Sequence, residues 1–238
     1  LISLNEKRER ISVLNDYDSY LQKLEQQLAK KEKELAQISD EVSEIRQRSA
    51  VKLVSEIKSA LNDLNFLDVQ FDMQFDRLPD YTANGIDAPE FLISTNPGEP
   101  LKPLGKVASG GELSRIMLGI KTIMAENDHI ESLIFDEIDS GISGRTAQMV
   151  SEKMNELGRN HQIICITHLP QIAAMADAHF LIEKAVENKS TVSRIRRLTD
   201  NDSVAELARM LGGAKITDTV MESAREMKEL AMEKKALS

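Results

Sequence analysis

The chain has 238 residues, of which 41% are hydrophobic, 29% charged and only 4% aromatic, and 30 Lys+Arg stand against 39 Asp+Glu for a net charge of -9. That balance excludes a membrane protein and a basic nucleic-acid coat, and the length suits one to two domains at about 150 residues each. A lone cysteine, Cys165, excludes a disulfide framework and fits a reducing cytosol. No apolar run reaches the roughly 20 residues of a bilayer span and no signal-peptide pattern opens the chain, so a cytoplasmic location without a membrane partner is expected. The first residue is leucine, which raises the expectation of a longer polypeptide upstream.

From residue 14 the sequence repeats by sevens. Leu14, Leu21, Leu28, Leu35 and Val42 share one position, while Tyr17, Leu24, Lys31, Ile38 and Ile45 share the position three residues on. All but Lys31 are apolar or aromatic and polar residues fill the gaps, which is the a/d seam of a left-handed coiled coil. A broad amphipathic helix lying on a core is the competing reading, but its apolar stripe would be wider than this seam. At 1.5 Å per residue the regular part reaches roughly 50 Å, so residues 1–65 read as an arm. No second heptad segment occurs in the chain, and the partner helix is expected outside it.

Near residue 65 the period falls to two. Leu67, Val69, Phe71, Met73 and Phe75 alternate with Asp68, Gln70, Asp72, Gln74 and Asp76, which predicts a strand with one wet face. Asn84-Gly85 marks a turn, and Phe91 to Thr95 a second strand. After a loop with Pro97, Pro100 and Pro103, the stretch Ser109-Gly110-Gly111-Glu112 has capping-box spacing, so a helix is expected to start at Ser109 and to carry Leu113, Ile116, Met117, Ile120, Ile123 and Met124 on one face. Leu133-Ile134-Phe135 ends in Asp136-Glu137, and Ile163 to Ile166 ends in Thr167-His168. A helix with Ala147, Val150, Met154 and Leu157 on one face lies between them, which predicts two parallel strands with their carboxyl ends on one sheet edge. Open α/β sheets bind ligands at that edge, so Asp136, Glu137 and His168 are expected to converge. Phe180 to Glu183 and Thr191 to Leu198 predict a hairpin around Glu187-Asn188-Lys189. Ser203 with Glu206 predicts another capped helix, stopped by Gly212-Gly213 before a last polar helix.

Each motif is ambiguous alone. Ser-Gly-Gly at a helix start offers free N–H groups and a positive dipole end to a phosphate, yet is also an ordinary cap. An Asp at a strand end can hold Mg²⁺ and a neighbouring Glu can polarise water, yet the pair can equally be a solvated acidic loop. No two histidines have zinc-ligand spacing, and Cys165 between isoleucines reads as core.

Their order is more specific. Ser109 to Glu112, the hydrophobic-Asp136-Glu137 element and Ile166-Thr167-His168 together resemble the ABC-type ATPase head: signature loop, Walker B and switch histidine. A coiled coil leading into the signature side resembles SMC-like proteins. Asn96 to Glu99, Val107 to Arg115, Phe135 to Gly144, Ile166 to Gln171 and Ala208 to Gly213 carry a resemblance to the bacterial DNA-repair members of that group, dense over residues 85–215. The resemblance implies an α/β fold in which residues 66–238 form the carboxyl-terminal lobe of the head and the arm is one helix of an antiparallel pair. It implies that Ser109, Gly110, Gly111 and Glu112 meet the γ-phosphate of ATP on the opposite head, that Asp136 serves Mg²⁺, and that Glu137 is the catalytic base. Asp139, Ser140 and Ser143 would belong to the D-loop across the dimer, with Ser143 where an aspartate is usual, and His168 would sense the γ-phosphate. It also implies homodimerisation through ATP and action on DNA during recombinational repair.

A P-loop, G-x-x-x-x-G-K-[ST], is not in the chain. Gly105-Lys106 is followed by Val107, and Pro100 stands where the first glycine belongs. The nucleotide-anchoring half and the partner helix are therefore expected on an amino-terminal segment, and this chain alone is expected to be inactive. Composition does not argue for DNA contact, because Lys7 to Arg10 and Arg194 to Arg197 are small clusters in an acidic chain. The readings from other classes are a structural coiled-coil interaction protein, another chromosome-maintenance ATPase of the group, and a transporter-type ATPase, which would carry its P-loop before the signature.

Overall fold

The computed structural model describes residues 2–106, 109–125, 130–187, 190–213 and 215–237. Val107 and Ala108, which precede the signature-like motif, and Asn188 and Lys189 at the hairpin turn lie outside the described residues. The elements in chain order are α1 (Ile2–Asp63), β1 (Gln70–Thr82), β2 (Gly85–Ser94), β3 (Lys102–Pro103), a 3₁₀ turn (Leu104–Lys106), α2 (Gly110–Met124), β4 (Ser132–Phe135), α3 (Gly144–Leu157), β5 (Gln162–Cys165), α4 (Pro170–Ala174), β6 (Phe180–Glu187), β7 (Ser190–Arg197), α5 (Asp200–Gly212) and α6 (Asp218–Leu237). No helix among the described residues is long and apolar enough to cross a membrane. Two compact units emerge: Leu1–Leu53 with Met73–Glu90, and Val54–Asp72 with Phe91–Ser238.

In the first unit α1 carries two faces. The seven-residue stripe is exposed, with Leu28 at 59%, Ile38 at 59% and Ile45 at 57%. A different face is docked on the hairpin of β1 and β2, and Ser39 and Ala50 on it are buried. There the Ser43 hydroxyl donates to Asp87 Oδ1 (2.7 Å) and Arg46 to Asp87 Oδ2 (2.9 Å), while Arg77 reaches Asp40 (2.6 Å). The Ser43 hydrogen bond, and behind it the Arg46 guanidinium, hold the Asp87 carboxyl below its ordinary range. The hairpin turns where Asn84-Gly85 predicts it. Gly85 has φ of 95°, which a side chain would strain, and the Thr82 hydroxyl donates to its carbonyl (2.8 Å).

The second unit takes in the last part of α1, from Val54. Phe66 N donates to Leu61 O (3.0 Å) and Asn65 N to Asn62 O (3.0 Å), with Asn65 left-handed at φ 67°. This is a Schellman ending, and Leu61 and Phe66 close it as a buried pair. The ending corrects the expected strand start: Leu67 lies 75% exposed in the turn, and β1 runs from Gln70 to Thr82. Pro79 is accepted within β1 because that strand is an edge of the β1-β2-β3 sheet. Ile57, Leu61 and Leu64 are buried with Ile116 and Leu118 of α2. A Cβ on Gly119 would come within 3.1 Å of Leu61 Cδ2, so the absent side chain brings α2 close to the end of α1.

Strands β4 and β5 pair in parallel, Ser132 with Gln162 through Phe135 with Cys165, and α3 makes the crossover. This is the predicted strand-helix-strand unit. A second core gathers Ala173, Ala174, Leu207, Ala208, Ala224 and Ala231 from α4, α5 and α6, where small side chains let short helices approach. The Lys228 ammonium donates to the Ala174 and Ala176 carbonyls (both 3.2 Å), which stops α4. Helix α5 starts earlier than the Ser203-Glu206 spacing predicts. Thr199 is its cap, accepting from Asp202 N (3.2 Å), and Asp200 and Asp202 occupy the positive first turn. Ser203 Oγ instead meets His179 Nδ1 (3.0 Å), and Glu206 pairs with Arg209 (2.6 Å).

Candidate functional site

Helix α2 starts at the predicted cap. Ser109 is extended, and its hydroxyl accepts from Glu112 N (3.4 Å). Gly110 is exposed and Gly111 is buried, so the two glycines face different surroundings. A Cβ on Gly111 would stand 2.8 Å from Ser140 Cβ, 2.9 Å from Glu137 O and 3.0 Å from Ser140 O. The start of α2 is thus seated directly on the backbone after β4.

Two further side chains of α2 fasten that seat. The Ser114 hydroxyl donates to Asp136 O (2.9 Å), and Arg115 donates to Ile138 O (3.3 Å) and Ser140 O (2.9 Å). Arg115 is only 7% exposed, and its guanidinium carbon lies 5.5 Å from the centre of the Phe66 ring. Burial pushes its pKa down from the ordinary value, and Glu112 partly offsets this. The segment Val107 to Arg115 carries the resemblance, but it assigns no role to Ser114 or Arg115. The available signal is an arginine one turn after Gly111, on the helix face that also buries Ile116 and Leu118.

The segment after β4 is tightly bent. Asp136 Oδ1 accepts from Glu137 N (2.9 Å), Glu137 O accepts from Ser140 N (2.9 Å), and Glu137 is left-handed at φ 56°. Asp136, Glu137, Ser140 and Ser143 are exposed, whereas Asp139 is buried. Ser143 is the extended residue before α3 and makes no side-chain cap bond.

The third loop follows β5. Asp139 Oδ2 accepts from Thr167 Oγ1 (2.6 Å) and from His168 N (2.7 Å), and His168 Nδ1 lies 2.9 Å from it. The structure therefore brings His168 together with the carboxylate of Asp139, three residues beyond Asp136. Cys165, half-buried at the end of β5, has its thiol pushed up to about 12 by burial and then by Asp139 and Asp136, so it is not a thiolate nucleophile.

No group of three or more His, Cys, Asp or Glu side chains among the described residues could cage a metal. One exposed carboxylate at a strand end does fit the way Mg²⁺ is usually held, by one or two carboxylates with the remaining positions taken by phosphate and water. Asp136 would be that ligand, with one of its oxygens engaged by Glu137 N.

No protein-family model matches the chain. The DNA repair protein RecN of Bacillus subtilis (strain 168) is 42% identical over 234 residues, covering 92% of this chain and 41% of that protein. The DNA repair protein RecN of Halalkalibacterium halodurans is 40% identical over 227 residues, covering 94% of this chain and 40% of that protein. The chain thus spans about two-fifths of the length of these relatives. Among solved structures, the Smc head domain with a coiled coil and joint from Pyrococcus yayanosii matches with a TM-score of 0.50 at 20% identity, over 68% of this chain and 29% of that one. That likeness gives the fold, an α/β carboxyl-terminal lobe of an ABC-type ATPase head after a long helix. With 40–42% identity along nearly its whole length, the chain belongs to the RecN family and corresponds to the carboxyl-terminal part of those proteins.

Proposed function

We propose that the chain supplies one side of a composite ATP site in an SMC-like DNA repair ATPase. The observation that carries the reading is the convergence of three segments: Gly111 packs on 137–140, Ser114 and Arg115 hydrogen-bond to 136–140, and Asp139 accepts from Thr167 and His168. Ser109, Gly110, Gly111 and Glu112 present a helix start to the γ-phosphate of ATP bound on a second head. Asp136 holds Mg²⁺, Glu137 takes the proton of the attacking water, and His168 meets the γ-phosphate. Ser140 and Ser143 are the exposed D-loop residues available to the other head. Mg²⁺, when bound, offsets the charge developing on the transferred phosphoryl group.

The anchoring P-loop and the partner of the 1–65 arm are assigned to an amino-terminal segment of the same polypeptide, with 66–238 as the carboxyl-terminal lobe. Surfaces of this chain support that assignment. Parallel sheets are normally covered on both faces, yet in β4 and β5 Ile134 is 70% exposed and Ile164 47%. Homodimerisation through ATP, contact with DNA during break repair, and a cytoplasmic, nucleoid-associated place belong to the same proposal, and its support is that the RecN relatives are DNA repair proteins.

The test is Glu137→Gln in the complete protein. ATP turnover is expected to vanish while ATP-dependent dimerisation of heads persists. Unchanged turnover removes Glu137 from the role of base.

A further inference from the structure

We propose that Asp139 is a positioning residue for His168, fixing the proton on Nδ1 so that Nε2 is the atom that works. This rests on the switch-histidine reading above, and it changes what the segment after β4 does: Asp139 serves its own chain's histidine.

The chemistry follows from one oxygen. Asp139 is 4% exposed, and its Oδ2 accepts from Thr167 Oγ1 at 2.6 Å and from His168 N at 2.7 Å, while His168 Nδ1 stands 2.9 Å from the same oxygen. Already accepting from the Thr167 hydroxyl and the His168 amide, Oδ2 faces the ring nitrogen as an acceptor. Nδ1 must then carry the proton, since a carboxylate beside one ring nitrogen sets the tautomer of a histidine. Thr167 closes the arrangement: its hydroxyl proton goes to Asp139 while its oxygen accepts from Leu169 N (3.0 Å), so the loop is held on both sides of the histidine. The imidazole itself stays 72% exposed, anchored at Nδ1 and free at Nε2.

For the neutral ring, Nε2 is an acceptor that can take a proton from water or a neighbouring acid. Once it has taken one, Nε2–H donates to a phosphate oxygen, and the Asp139 anion balances the imidazolium at the other nitrogen. The arrangement also joins the two sides of the site. Arg115 grips the carbonyls of Ile138 and Ser140, which flank Asp139, so a displacement of α2 is transmitted to the residue that orients His168.

Two measurements test this. The first needs no turnover: ¹⁵N chemical shifts of the His168 ring in this chain, at a pH where the imidazole is neutral. The Nδ1–H form is expected in the wild type, with a shift toward the Nε2–H form in Asp139→Asn. A wild-type ring already in the Nε2–H form overturns the proposal, whether or not the variant folds. The second is a double-mutant cycle on ATP hydrolysis by the complete protein. Asp139→Asn is expected to lower kcat by roughly 10- to 100-fold, the range for groups that orient a working histidine, with KM for ATP within about twofold. On a His168→Ala background the same substitution should cost nothing more. Additive losses would show that Asp139 acts independently of the histidine and would refute the positioning role. A complete protein that hydrolyses no ATP would sink the ATPase reading while leaving the ¹⁵N result standing.

Discussion

Gly110 and Gly111 are neighbours at the start of one helix, and alanine at each should have opposite consequences. In a helix, alanine is favoured over glycine by up to about 1 kcal/mol, and it also narrows the unfolded ensemble. At Gly110 the new methyl would meet only Glu137 Oε2 at 2.9 Å, the free end of an exposed side chain that can swing away. That substitution is expected to be neutral or slightly stabilising. At Gly111 the methyl would meet Ser140 Cβ at 2.8 Å and two carbonyl oxygens at 2.9 and 3.0 Å, well inside an ordinary contact of about 3.5–4.0 Å. The obstructing backbone is held by Ser114 and Arg115, so it cannot retreat without losing their hydrogen bonds. Overpacking of this kind costs about 1–3 kcal/mol, which leaves the two variants roughly 2 kcal/mol apart after the helix gain. Urea transitions followed by far-ultraviolet circular dichroism measure the gap, and a melting difference of about 4–8 °C should accompany it. If Gly111→Ala proves as stable as Gly110→Ala, α2 is not seated on the segment after β4 as described.

Arg115→Met keeps the aliphatic stem but withdraws both donors from the Ile138 and Ser140 carbonyls and the charge from Phe66. A loss of about 2–4 kcal/mol is expected, with Arg115→Lys recovering less than half, because an ammonium has no planar face to lay on the Phe66 ring. Faster amide exchange across residues 136–142 is the local readout, and unchanged exchange in Arg115→Met counts against the clamp. The lowered pKa of Asp87 means that the folded state binds its proton less readily than the unfolded chain. Its stabilisation is therefore present above the ordinary carboxylate value of about 4 and fades as pH falls through the lower folded value. Exchange of the 85–90 amides should accelerate on acidification, and Asp87→Asn should flatten that dependence. His179 is also shifted down, mainly by burial, so the folded state disfavours its protonation and stability should fall as pH drops below about 6.5. Replacing His179 with Gln should remove that slope from denaturation midpoints; a slope that survives assigns it elsewhere.

What the sequence made legible was local. Heptads gave the long helix α1, the Ser109 cap gave α2, and two apolar runs separated by a helix gave the parallel pair. Each depends on residues within a turn or two of one another. The docked face of α1 depends on Ser43 and Arg46 meeting Asp87, more than forty positions away, and no periodicity encodes that pairing. Helix α4 was missed although Pro170 marks a favourable first helical position, because five residues are too few to show a period. The misplaced start of α5 is a competition between two plausible caps. Thr199 wins because Asp200 and Asp202 favour the earlier turn and because His179 occupies the Ser203 hydroxyl.

The site shows the same limit in a sharper form. Among the described residues only Asn65 and Glu137 are non-glycine residues at positive φ. Asn65 is readable, because asparagine tolerates the left-handed position that ends a helix. Glutamate has no such tolerance, and the conformation costs of order 1–2 kcal/mol. At Glu137 it is held by Asp136 Oδ1 on the amide, by Ser140 N on the carbonyl, and by Gly111 closing over the bend. Every restraint comes from a residue with a proposed part in the nucleotide site. A stretch of chain optimised for stability alone would place glycine or asparagine at this position. Keeping a carboxylate there, against local preference, is what a site needs when it must present that group beside the signature loop, and it makes Glu137 the residue whose conformation is best explained by chemistry.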